Sequence, residues 1–221
     1  MPHSRPLQHR FSVALFAALL VAPLVSPLAA QAPTHIEGLG SLHFPTSGAP
    51  AAQDDFVRGV LYLHSFEYDF AAQAFRAAQE KDPGFAMAYW GEAMTYTHPV
   101  WNEKDQAAAR AVLNRLAPNP EARQAKAPTA REKAYLEAVE VLYGDGPKER
   151  LDTLYSDAMR ELAEAYPEDL EAQTFYALSL LGLSQGDRDV PTYMRSGAIA
   201  LDAFEKNPGH PGAAHYVIHS F

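Results

Sequence analysis

His215 and His219 stand four residues apart, the spacing at which one helix brings two imidazoles to the same face and within reach of a single metal ion. Tyr216, Val217 and Ile218 lie between them, so there is no glutamate where a hydrolytic metalloenzyme would need its general base. That argues against protease chemistry of the zincin kind. His210 can join as a third ligand only if the turn at Pro211-Gly212 folds back. The metal reading therefore names His215, His219 and His210, with a Zn or Cu ion as cofactor. The plainer reading has no cofactor, and the two histidines satisfy buried helix contacts. Two more histidines, His64 and His98, are 34 residues apart.

Other candidates carry less. The loop at Gly144-Asp145-Gly146 lacks the lysine and the strand context of a phosphate-binding loop and reads as a tight turn. Acid pairs such as Glu161 and Glu164 or Asp152 and Asp157 fall on polar helix faces, where solvated charge is the default. Ser65, Ser179 and Ser196 sit in helical stretches without a nucleophile-elbow motif. No residue is assigned a catalytic role.

The elements that must position the histidines are helical. From Ala52 onward apolar residues recur at steps of three and four, which gives about nine helical segments and no alternating strand pattern. Pro118, Pro120 and Pro128 mark one long loop, and the pair over Thr129 to Ala165 reads as an irregular helical hairpin. Steps of four and three place Phe56, Val60 and Leu63 on one helix face. Met87, Trp90 and Met94 share a face of a later helix in the same way.

Gly59-x-x-Tyr62, Ala71-x-x-x-Phe75-x-x-Ala78 and Pro83 fit a 34-residue helix-turn-helix period, with small residues where two helices touch and a proline closing the unit. Tyr89, Ala93 and Tyr96 echo it, and Ala203-Phe204-Glu205-Lys206-Asn207-Pro208-Gly209 parallels Ala78-Gln79-Glu80-Lys81-Asp82-Pro83-Gly84. Over residues 50–221 the chain resembles the tetratricopeptide repeat family. Gly38-Leu39-Gly40, Ala88-Tyr89-Trp90-Gly91 and the stretch from His210 to His219 look like segments of exported bacterial members whose activity is not established. The resemblance implies an all-α superhelix of antiparallel helix pairs. It also implies a concave groove for a peptide or protein partner, lined by Phe56, Leu63, His64, Trp90, Met94 and His98, with His215 and His219 on the same face.

Arg5 and Arg10 precede an apolar run from Phe11 to Leu28, and Ala30-Gln31-Ala32 follows. These are the parts of a secretory signal peptide over residues 1–32, which places the mature chain in the periplasm or outside the cell, with no stable membrane span after cleavage. Cleavage leaves 16 basic residues against 27 acidic ones, a net charge of −11, and so argues against nucleic acid as a partner. Without a cysteine there is no disulfide framework or thiol catalysis. Residues 33–51, rich in Pro, Gly, Ser and Thr, read as an extended lead-in to a helical domain over 52–221. His210 to Phe221 reads as the first helix of a further unit, and the chain as the N-terminal part of a longer repeat protein.

Overall fold

The computed structural model describes residues 34–183 and 188–221, with Met1. Beyond Met1, the signal segment lies outside the described residues. The all-α class is what the structure shows. Among the described residues are ten α-helices: α1 Pro50–His64, α2 Tyr68–Lys81, α3 Ala86–Met94, α4 Gln106–Leu116, α5 Pro120–Gln124, α6 Ala130–Leu142, α7 Lys148–Ala165, α8 Leu170–Leu181, α9 Val190–Lys206 and α10 Pro211–Ser220. No described helix is long and apolar enough to cross a membrane.

Two differences from the expected elements have local causes. Helix α5 occupies part of the expected long loop, because the Asn119 side chain accepts from the Ala122 N–H and Pro120 takes the first helical position. Two antiparallel strand pairs also form, β1 Thr34–Ile36 with β2 Gly40–Leu42 and β3 Thr97–His98 with β4 Glu103–Lys104. The first lies in the lead-in, where Gly38 and Gly40, at φ 79° and 104°, turn the chain as only glycine does readily. Alternation is invisible in strands of two or three residues, so neither pair could be read beforehand.

Helices α2 and α9 end alike. Asp82 has φ −143° and ψ 88°, and Asn207 has φ −142° and ψ 88°. Each precedes a proline, which drives the residue before it out of the helical region. Each side chain then accepts the N–H of the glycine two residues on, Asp82 from Gly84 and Asn207 from Gly209, both at 3.1 Å. The matching sequence endings are thus matching structures.

Small residues set the close approaches. A methyl group on Gly59 would come within 2.7 Å of the Phe75 ring, and one on Gly91 would strike the same ring, so α1, α2 and α3 meet around Phe75. Every residue of α3 is buried. Helix α10 packs on α8 and α9 and also touches α1.

Candidate functional site

Phe56, Leu63, Trp90 and Met94 are all buried, as is His64. The expectation of an open groove is corrected accordingly. Part of the cover is the lead-in itself. Phe44 lies edge-on to Phe56 and Trp90, with ring centroids 5.3 and 5.6 Å away, and 5.1 Å from Tyr135. Around Phe44 the lead-in backbone is tied to separate helices. Ser41 exchanges hydrogen bonds with the Asn207 side chain after α9, the Pro45 carbonyl accepts from Arg131 of α6 at 2.9 Å, the Ser47 N–H donates to Glu132 of α6 at 2.7 Å, and the Ala49 N–H donates to Asp82 after α2 at 2.8 Å. The Arg131 guanidinium also lies over the Phe44 ring, 4.5 Å from its centroid.

His98 is displaced from the expected helix face. Helix α3 stops at Met94, where the Thr95 hydroxyl donates to the Glu92 carbonyl, and His98 falls in β3 instead. Its ring stacks on Tyr68 at 4.0 Å and borders an open hollow of about 680 Å³ with Tyr68, Arg76 and Glu103.

His64 belongs to a buried network with Glu171, His210 and Tyr216. Glu171 accepts from the His64 Nε2–H at 2.7 Å and from the His210 Nε2–H at 3.0 Å, and none of the three side chains has exposed surface. His210 is the N-cap of α10, and its Nδ1 accepts the Ala213 N–H at 3.1 Å. The His64 Nδ1 meets the Tyr216 hydroxyl at 2.8 Å. Burial pushes the Glu171 carboxyl up, but the two imidazoles outweigh it and hold it well below the usual carboxylate range. Burial pushes His64 below its ordinary value against the pull of Glu171, so its imidazole is neutral and its Nδ1 free to accept from Tyr216.

One ligand atom each from His64, Glu171 and His210 lies within 4.8 Å of the other two, close enough to surround an ion. In the arrangement described, hydrogen bonding already occupies these atoms. A neutral imidazole has one N–H, and because His210 Nδ1 accepts from Ala213, its proton sits on Nε2, the nitrogen that would have to bind the metal. His210, expected as a third ligand beside His215 and His219, is placed instead as the cap of α10, with His64 and Glu171.

His215 and His219 are arranged otherwise. Their Nε2 atoms face each other at 3.1 Å, and His215 Nδ1 lies 2.9 Å from the His64 backbone carbonyl. A carbonyl oxygen only accepts, so His215 Nδ1 bears an N–H and donates it there, while Nε2 is turned toward His219. That carbonyl belongs to the last residue of α1, one of the groups a helix end leaves without an internal partner. Phe66 walls the pair, its ring 4.2 Å from His215 and 5.6 Å from His219.

Glu171 and Tyr216 are the members that the sequence did not single out. An acid in the first turn of a helix is what the helix dipole favours anyway, and Tyr216 reads as a core aromatic, so neither carries a distinguishing signal. No family model, no curated protein and no solved structure matches the chain.

Proposed function

We propose that the chain is a partner-binding scaffold of tetratricopeptide type, acting outside the cytoplasm, whose inner face takes an extended peptide carrying an aromatic anchor. The observation behind this reading is the seating of residues 41–49. An extended segment has its aromatic ring among Phe56, Trp90 and Tyr135 and its backbone held by Arg131 and Glu132 of α6 and by Asp82 after α2. Extended peptides added to a protein are held by a similar division of labour, with main-chain hydrogen bonds for affinity and side-chain pockets for selectivity. Here the occupant is the chain's own lead-in, and a partner segment of the same chemistry would compete with it.

Phe44→Ala empties the pocket, and a labelled synthetic peptide covering residues 38–49 then reports on it by fluorescence anisotropy. The variant should capture that peptide saturably, and the intact chain much more weakly, because its own segment is in place. A peptide with alanine at the position of Phe44 should not bind. A folded Phe44→Ala protein that captures neither peptide would mean that the lead-in is only core.

A further inference from the structure

We infer that His215 and His219 form a two-imidazole site for a borderline transition-metal ion, Cu(II) or Zn(II), at the end of α1, with solvent or a partner completing the coordination. The geometry comes first. Two imidazole nitrogens bound at about 2.0–2.1 Å to one ion stand roughly 2.9 Å apart at a right angle and roughly 3.4 Å apart at the tetrahedral angle. The observed separation of 3.1 Å lies between these values, so the two nitrogens already stand at a spacing that one ion can bridge once the rings turn toward it.

The second argument is orientation. Metal-binding histidines characteristically donate their other N–H to a carbonyl or carboxylate, which fixes the tautomer and aims the ring. His215 already does this through the His64 carbonyl. His219 needs only a change of tautomer, since no described hydrogen bond occupies its Nδ1.

The third argument is Phe66, which occupies the left-handed region at φ 61°. A bulky side chain there is strained and persists only where the surroundings compensate. Its ring packs on His215, Tyr68 and Trp101, so the turn after α1 holds an aromatic wall against the imidazole pair. The wall shields one side while both histidines stay only partly buried, leaving an approach for the ion.

Calorimetric titration of the untagged full chain with Cu(II) and separately with Zn(II) at pH 7.5 tests the site. One saturable site per chain is expected, tighter for Cu(II) than for Zn(II), with a Cu(II) paramagnetic resonance spectrum showing nitrogen ligation. Affinity should fall at least about tenfold on going to pH 5.5, as protons take the imidazoles. His219→Ala and His219→Gln should each weaken binding at least about tenfold with unchanged helicity. His98→Ala should not alter it. Absence of saturable binding at pH 7.5, or binding that survives both His219 variants, overturns the site.

Discussion

Glu171 joins three helices through one carboxylate: it sits on α8 and accepts from His64 on α1 and His210 at the start of α10. A buried acceptor with two N–H donors is easily broken by a near-isostere. In Glu171→Gln one donor faces an amide NH2, and stability should drop by about 1–3 kcal/mol, read as a shift in the urea midpoint. The same residues set a pH dependence. His64 has a lowered folded pKa, so the unfolded chain takes up its proton first. Its contribution is complete above the ordinary imidazole value of 6.5 and is lost as pH falls below it. Glu171, also lowered, adds a second loss at more acid pH, as the unfolded carboxyl protonates below its ordinary 4.5. Urea midpoints should therefore decline from pH 7 to pH 5, and His64→Gln, which keeps a donor toward Glu171 without titrating, should flatten that decline. An equal slope in the variant would place the titrating group elsewhere. The reading of His64 as a groove residue missed this role, because its partners Glu171 and Tyr216 lie 107 and 152 positions away in the sequence.

At the scale of elements, the legible features are those set by neighbouring residues. Asp82-Pro83-Gly84 and Asn207-Pro208-Gly209 look alike in sequence and end their helices with the same dihedrals, because proline acts on the residue beside it. What the two turns do next was not legible. Asp82 accepts the Ala49 N–H and Asn207 pairs with Ser41, so both hold the lead-in, and the spacing along the chain says nothing of that segment's path. The small residue expected at Gly59 is likewise local in signal and tertiary in cause, since the Phe75 ring fills the space where its side chain would be. Gly91, in the next helix, touches the same ring. Gly91→Ala should cost about 1–3 kcal/mol by overpacking, and a smaller residue at position 75 should return part of it. Denaturation of Gly91→Ala, Phe75→Leu and the double variant reads this directly; purely additive costs would show that the ring is not the obstacle.

At the scale of the whole molecule, an open repeat array differs from a closed one in how it unfolds. In an open solenoid each unit touches only its neighbours, and segments can melt separately. Here α10 contacts α1, and Tyr216 reaches His64 across 152 positions, so helices far apart in the chain brace each other. Unfolding followed by far-ultraviolet circular dichroism and by the fluorescence of buried Trp90 and exposed Trp101 should give coincident curves. Tyr216→Ala, by parting these helices, should separate them. Coincident curves in that variant would show that closure is not what couples the helices. The sequence by itself determined the helical class, the proline-closed turns, the common helix face of Phe56 and Leu63 and that of Trp90 and Met94, and the i, i+4 pairing of His215 with His219. Each of these follows from periodicity or from a residue acting on its neighbour. Only the tertiary structure decided that these faces are covered, that Phe44 packs against Phe56 and Trp90, and that His210 caps a helix and serves Glu171 while His215 turns its Nε2 toward His219. Those outcomes depend on which distant groups meet and which atom of each imidazole bears the proton, and no local pattern encodes either.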